Sequence, residues 1–339
     1  METKQILDRL INRDDLNYDE AEWLMNRFMD GELSSSQMAA ILVALRMKTE
    51  TVTEITACAA VMRSKSTKIP INDELVIDTC GTGGDSSGSF NISTTAALLL
   101  AGGGYKVAKH GNRSMTSKSG SADLLEALGI NLQLSPKQVS DCIRHTGIGF
   151  LFAPALHSAM KNVVPVRKEL AVRTIFNILG PLTNPANAQV QIIGLFDKNL
   201  VSKIAQVLRE LGTSSAYVFA GLSGLDEVCV EKDTQVAQLT RTGEIKEFVF
   251  NPEEYGFKKS SLTEIKGGSP EENAAITRGI LNGEIKGAKR DVVILNTGFA
   301  ISALEDCSLK EGFIQAETLL DKGVGITTIE KMISFTKSL

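Results

Sequence analysis

The stretch DTCGTGGDSSGSFNIST, Asp78 to Thr94, decides how this 339-residue chain is read. It follows Leu75-Val76-Ile77-Asp78, a short apolar run of strand character, and it ends in Asn91-Ile92-Ser93-Thr94, which opens a helix. Between the two lie Gly81, Gly83 and Gly84. A loop of glycines lets the backbone approach a ligand closely, and the free N–H groups at a helix start attract an anion, so phosphate is the natural guest. Two familiar phosphate loops fail on spacing. The pattern GxxxxGK[ST] is absent, and the third glycine position of GxGxxG is occupied by Ser86.

Working outward, the residues before this stretch show helical patterns only. Ile6, Leu7, Leu10 and Ile11 share one apolar face, Leu24, Met25, Phe28 and Met29 share another before Gly31, and Thr51 with Glu54 makes a capping box. A polar, proline-containing stretch from Lys68 to Asp73 marks a domain boundary. Beyond it, strand patterns alternate with helices: Leu75 to Asp78, Lys106 to Ala108, Gly149 to Phe152, Val190 to Leu195, Ala216 to Phe219 and Val292 to Leu295. Ser135-Pro136 and Ser269-Pro270-Glu272 carry helix-start chemistry. The alternation predicts an α/β fold with a mostly parallel central sheet. Gln235 to Phe250, around Thr242-Gly243, predicts an antiparallel hairpin. Leu156 to Leu182 is helical in pattern and is expected to pack with the N-terminal helices.

A second loop, VAKHGNRSMTSKSGSAD from Val107 to Asp123, gathers Lys109, His110, Arg113 and Lys118 among Asn112, Ser114, Thr116, Ser117, Ser119 and Ser121. So dense a set of donors suits a heavily phosphorylated ligand, although solvated loops are polar as well. Both loops leave the C-terminal ends of strands, where open α/β sheets bind ligands. Asp226-Glu227 is either a solvated turn or an oxygen site for Mg2+ shared with substrate phosphates. Arg167, within an apolar helical stretch, requires a carboxylate partner, either Glu169 or a ligand. His157 is a structural or a site histidine, and His145, ahead of Gly147, reads as a cation at a helix C-terminus. With 3 His in the chain, no Ser-His-Asp triad is suggested.

Composition narrows the classes. A formal net charge of -4 argues against coating nucleic acid. The chain has 29 Gly against 13 Phe, 4 Tyr and 1 Trp, which favours close backbone approach over a base-stacking platform. Five scattered Cys without a CxxC pair point to reduced thiols. The N-terminus has no signal-peptide core, and the longest apolar run, near Ala96 to Tyr105, falls short of the roughly 20 residues that span a bilayer. The expectation is a soluble, cytoplasmic protein without nucleic-acid or membrane partners.

Taken together, the motifs resemble the anthranilate phosphoribosyltransferase family. They are GTGGD (Gly81 to Asp85), FNIST (Phe90 to Thr94), KHGNRS (Lys109 to Ser114), SGSADLLEALG (Ser119 to Gly129), PVRKEL (Pro165 to Leu170), RTIFNILGPLTNP (Arg173 to Pro185) and the later Asp226-Glu227. The resemblance implies transfer of the phosphoribosyl group of phosphoribosyl pyrophosphate (PRPP) to the amine of anthranilate, the second step of tryptophan synthesis from chorismate. It implies that Gly81, Gly84, Asp85, Ser89, Asn91, Ile92, Ser93 and Thr94 surround PRPP. Lys109, His110, Gly111, Asn112, Arg113, Ser114, Met115, Thr116, Ser117 and Ser121 join them. Gly81, Asn112, Arg167 and His157 would hold anthranilate, while Ser93, Asp226 and Glu227 would bind two Mg2+ ions. No residue is singled out as a certain catalyst; His110 is the candidate for orienting substrate or handling a proton.

The implied architecture is a small all-helical domain, residues 1–72 joined by about 156–183, and a larger α/β domain, residues 73–155 and 184–339, with a homodimer formed through helical faces. Departures from the family pattern are Ser89 for Thr, Ser158 for Pro and Ala171 for Gly. The nearest rival, pyrimidine nucleoside phosphorylase, shares the fold but carries an extra C-terminal domain for which this chain is expected to be too short.

Overall fold

The computed structural model describes residues 1–71, 75–85, 87–114 and 118–339. Four helices come first: α1 (Thr3–Ile11), α2 (Tyr18–Asp30), α3 (Ser35–Lys48) and α4 (Val52–Lys65). Each starts with a reciprocal cap, for example Asn17 with Glu20 and Thr51 with Glu54, which satisfies N–H groups that the first turn otherwise leaves open. Glu54 is fully buried. Its carboxylate caps α4, accepts from the Leu16 amide at 2.9 Å and pairs with Lys48 Nζ at 2.9 Å. This one carboxylate thus ties α3, α4 and the α1–α2 connection together.

The chain continues through β1 (Val76–Gly81), α5 (Ile92–Gly102), β2 (Lys106–Gly111), α6 (Ser121–Ala127), α7 (Pro136–Thr146) and β3 (Ile148–Phe152). Short helices α8 (Ala153–Leu156), α9 (Val164–Leu170) and α10 (Phe176–Leu179) follow, with no strand between them. Val163, Val166, Ile175, Phe176, Ile178 and Leu179 lie in the same apolar cluster as Leu24, Phe28, Ile41 and Ile55 of the first four helices. That cluster runs on into Ile193, Ile204 and Val218, so the helical part shares its core with one face of the sheet.

Then come β4 (Val190–Gly194), α11 (Val201–Glu210), β5 (Ser215–Gly221), β6 (Thr234–Leu239), β7 (Ile245–Phe250) and four C-terminal helices: α12 (Pro270–Leu281), α13 (Ala288–Glu305), α14 (Leu309–Asp321) and α15 (Val324–Lys337). The seven strands form one sheet in the order β3-β2-β1-β4-β5-β6-β7. The first five are parallel and the last two antiparallel. The fold is therefore the expected small helical part beside a larger α/β part with a mostly parallel sheet. The hairpin expected around Thr242-Gly243 is β6–β7, turned by Gly243 at a φ of 83°. Ser135 and Ser269 cap α7 and α12.

One expected strand is absent. Val292 to Leu295 belongs to α13, an 18-residue helix buried without interruption from Val292 to Leu304. A helix buried on every side shows no 3.6-residue alternation, and four β-branched or aliphatic residues in a row mimic a buried strand. All five cysteines are free. Among the described residues, no single helix is long and apolar enough to cross a membrane.

Candidate active site

In the sheet order, β1 lies between β2 and β4. The chain moves from β1 outward to β2 and β3, then returns to the other side of β1 as β4. The crevice beyond the C-terminal ends of β1 and β4 is the switch point where such sheets take ligands. The loops after β1, β2 and β5 converge there.

Asp226 and Glu227, from the loop after β5, are not a solvated turn. Glu227 is only 9% exposed. Asp226 Oδ2 accepts from the Gly83 amide at 2.7 Å, and Glu227 Oε1 accepts from the Ser93 amide at 3.1 Å. One carboxylate therefore grips the glycine loop and its neighbour grips the first turn of α5. The approach depends on glycine at two places. A Cβ on Gly81 would stand 2.6 Å from Asp226 Oδ2, and one on Gly194, at the end of β4, would stand 1.6 Å from the Asp226 carbonyl. Burial pushes both carboxyls up from the ordinary carboxylate range; Asp85 pushes Asp226 further, and Asp226 pushes Glu227. Asp85 itself has a buried oxygen, Oδ2, without a hydrogen-bond partner in the protein.

Lys109, 1% exposed at the end of β2, donates from Nζ to the Thr79 carbonyl and reaches Ser93 Oγ at 3.5 Å. Thr79 Oγ in turn donates to the Ser93 carbonyl at 3.1 Å. Next to Lys109, the His110 amide donates to Asp78 Oδ1 at 3.1 Å and Asn184 donates to Asp78 Oδ2 at 2.7 Å. Burial raises the Asp78 pKa to about 6 even against the nearby Lys109 charge. His110 Nδ1 donates to the Gly180 carbonyl at 3.2 Å, which leaves Nε2 as a bare acceptor. That Nε2 is buried and unpartnered, as is His157 Nε2, and the two rings stand 5.1 Å apart. Burial holds His110 down to about 3 and His157 down to about 4, so both are neutral near pH 7.

Arg167 makes no ion pair with Glu169, and among the described residues no carboxylate pairs with it. It sits over the Phe176 ring at 5.5 Å, with burial lowering its pKa. A half-buried guanidinium without a protein partner is suited to a ligand carboxylate.

Other expected residues are placed as follows. Gly84, at φ 74°, Asp85 and Ser89 lie in the glycine loop, where Ser89 Oγ accepts from Ser87 Oγ at 3.2 Å. Asn91 stands at the N-cap of α5, Ile92 begins the helix, and Thr94 Oγ donates to Ser121 Oγ at 3.1 Å. Gly111 ends β2, the Asn112 carbonyl accepts from the Ala122 amide at 3.2 Å, and the Ser114 amide donates to Asp123 at 3.0 Å. The Arg113 guanidinium turns onto α6, where it meets Asp123 at 3.1 Å and Glu126 at 2.6 Å. Met115, Thr116 and Ser117 lie outside the described residues.

Sequence reasoning gave no role to Arg173, although it opens the motif RTIFNILGPLTNP. Its guanidinium donates to the Gly84 carbonyl and lies 3.8 Å from the Phe196 ring centre, while its own carbonyl accepts from Arg46 of α3 at 2.8 Å. Gly194, Asn184 and Asn273 were missed as well. The available signals were a glycine ending a strand for Gly194 and an asparagine inside a helix for Asn273; Asn184, in the segment before β4, carried none.

Fold and site define a glycosyl transferase. Residues 73–326 match the model of the glycosyl transferase family α/β domain, and residues 4–66 match that of the family's helical bundle domain. The anthranilate phosphoribosyltransferase of Symbiobacterium thermophilum is 48% identical over 337 residues, 99% of this chain and 98% of that protein. The crystal structure of the Thermus thermophilus enzyme superposes with a TM-score of 0.92 at 41% identity, covering 98% of this chain and 99% of that one. The Saccharomyces cerevisiae enzyme in complex with PRPP and Mg has a TM-score of 0.85 at 27% identity, covering 95% and 93%. The same yeast protein in complex with 4-fluoroanthranilate has a TM-score of 0.88 at 25% identity, covering 100% and 99%. The chain belongs to the anthranilate phosphoribosyltransferase family.

Proposed function

We propose that this protein transfers the phosphoribosyl group of PRPP to the amine of anthranilate and releases pyrophosphate, the second step of tryptophan synthesis from chorismate. The observation that carries the reading is the pair Asp226-Glu227, the first half-buried and the second buried, held by backbone N–H groups of the glycine loop and of α5. The family membership and the yeast complexes support it.

The donor set fits Mg2+. Asp226 and Glu227 carry like charges in a buried place that a divalent cation relieves, Ser93 supplies a hydroxyl, and the buried Asp85 oxygen has no protein partner. Among the described residues no three His, Cys, Asp or Glu side chains form a complete metal cage. This suits an ion whose remaining ligands are phosphate oxygens and water. Two ions are proposed, held by Ser93, Asp226 and Glu227. Bound there with the diphosphate, Mg2+ neutralises charge on the leaving pyrophosphate.

The glycine loop (Gly81, Gly84, Asp85, Ser89), the start of α5 (Asn91, Ile92, Ser93, Thr94) and the second loop from Lys109 to Ser117, with Ser121, are the proposed surroundings of PRPP. Arg167 holds the anthranilate carboxylate, with Gly81, Asn112 and His157 around the ring. The aromatic amine is neutral near pH 7 and attacks the ribose anomeric carbon without a strong base. The transition state is oxocarbenium-like and no enzyme carboxylate attacks. Rate enhancement then comes from positioning and from charge stabilisation. Neutral His110 presents a bare Nε2, which suits it to orienting a substrate donor. Residues 1–72 with 156–183 are proposed as the helical domain, through which a cytoplasmic homodimer forms.

The test is to mix the protein with PRPP, anthranilate and Mg2+, then follow loss of anthranilate fluorescence together with pyrophosphate release. Stoichiometric loss and release support the reading. No turnover, combined with phosphorolysis of uridine or thymidine, overturns it.

A further inference from the structure

Asn273 lies in the first turns of α12 and is 1% exposed. Asparagine is a poor helix former and is seldom buried, so packing alone does not account for it. Both ends of its amide are used. Oδ1 accepts from the Gly268 amide at 2.8 Å, and Nδ2 donates to Asn91 Oδ1 at 2.9 Å. Asn91 Oδ1 also accepts from Ser119 Oγ at 3.2 Å, and Asn91 Nδ2 donates to the Ser119 carbonyl at 3.2 Å.

The chain of bonds has a fixed polarity because both its ends are backbone groups. A peptide N–H only donates, so the Asn273 atom facing Gly268 is oxygen. Its nitrogen therefore faces Asn91, and the atom that Asn91 turns toward it is oxygen too. At the far end the Ser119 carbonyl only accepts, and Asn91 meets it with nitrogen. Asn91 cannot rotate its amide without setting two donors against each other at Asn273 and two acceptors against each other at Ser119. With one Nδ2 proton given to the Ser119 carbonyl, the lock keeps the second Nδ2 proton as the donor that this amide can offer a ligand. The same bonds join the start of α5, the second loop and the segment before α12, which also clasps the glycine loop through the bond from the Gly267 amide to the Gly88 carbonyl at 2.9 Å.

We propose that Asn273 is a positioning residue for the phosphoribosyl donor: it locks the Asn91 amide so that an N–H faces a phosphate or ribose oxygen, and it pins the second loop to the glycine loop. The inference rests on the function proposed above.

Its test pairs Asn273→Ala and Asn273→Asp with Asn91→Ala. Each Asn273 variant is expected to raise the PRPP KM about tenfold, the scale of one lost hydrogen bond, with the anthranilate KM within about twofold. Asp is no rescue, since a carboxylate accepts from Gly268 but cannot donate to Asn91. In the Asn91→Ala background, Asn273→Ala should change the PRPP KM less than about twofold, because the residue it acts through is gone. Additive losses, or a lowered Tm with both KM values unchanged, would overturn the proposal. Side-chain amide resonances of 15N-asparagine-labelled protein without substrate give a separate readout. Asn273→Asp should shift the Asn91 amide and speed its solvent exchange, and an unmoved signal refutes the lock. A wild-type chain that fails to use PRPP refutes the reaction while leaving this second result to decide the role of Asn273.

Discussion

The Arg173 guanidinium carbon lies 3.8 Å from the centre of the Phe196 ring while its nitrogen donates to the Gly84 carbonyl. One flat cation thus rests on the α/β part and holds the glycine loop, and its backbone is anchored to α3 by Arg46. Arg173→Ala frees the loop and should raise the PRPP KM by about three- to tenfold. Arg173→Lys should recover little, since an ammonium has neither a flat face nor a fork. Initial rates with PRPP varied at saturating anthranilate check this; full activity in the Lys variant would show that charge alone suffices.

The Asp226-Glu227 pair stores unfavourable charge in the metal-free protein. With folded pKa values raised above those of the unfolded chain, the folded state binds more protons, so the stability contribution of the pair falls as pH rises from the ordinary carboxylate range. The double variant Asp226→Asn, Glu227→Gln should therefore melt a few degrees higher than the wild type without Mg2+ at pH 8, a relief of roughly 1–2 kcal/mol. At pH 5 the difference should shrink. The variant should also lose Mg2+-dependent use of PRPP, so the same change raises the melting temperature and abolishes the response of the rate to added Mg2+. A variant that melts lower at pH 8 would contradict this account.

Arg167 has no carboxylate among the described residues to answer its charge. Arg167→Ala should raise the anthranilate KM by about ten- to a hundredfold and leave the PRPP KM within about twofold. Equal changes in both constants would remove Arg167 from the acceptor site.

Ala171 ends α9 in the left-handed conformation, at φ 51° and ψ 21°. The Cβ of alanine is strained there, whereas glycine adopts the conformation freely. Ala171→Gly is expected to stabilise the fold by about 0.5–1 kcal/mol, read as a higher urea midpoint. A lower midpoint would mean that the added chain entropy of glycine dominates.

Much of the fold was legible because its punctuation is local. Caps such as Thr51, Ser135 and Ser269 act on amides three residues away, and glycines such as Gly243 mark turns where they stand. α13 was illegible for the opposite reason, since burial on all sides erases periodicity. In the site, Asp226 and Glu227 stood out as a pair, yet only the structure shows that Gly83 and Ser93 hold them. Arg173 and Asn273 left no trace in composition because their partners are set by the fold: Arg173 meets the Gly84 carbonyl, and Asn273 meets the Gly268 amide and the Asn91 side chain. Arg113 illustrates the converse: a cation in a promising loop has two carboxylates waiting on the next helix.

The pairing of β1 with β4, in which Ile77 registers against Val190, also sets a timetable for the newborn chain. While the ribosome works, β1, β2 and β3 emerge with one side of β1 bare, an edge open to pairing with other chains. At roughly 5–20 residues per second the interval lasts on the order of ten seconds. The first four helices wait through the same interval for Val163 to Leu179, which join their apolar cluster. Those residues leave the ribosome just ahead of β4, so the helical part gains its missing wall and the sheet gains its missing neighbour almost together. Until then the first half of the polypeptide shows both an open strand edge and an uncovered apolar face, and the arrival of Val163 to Gly194 begins to close the two together.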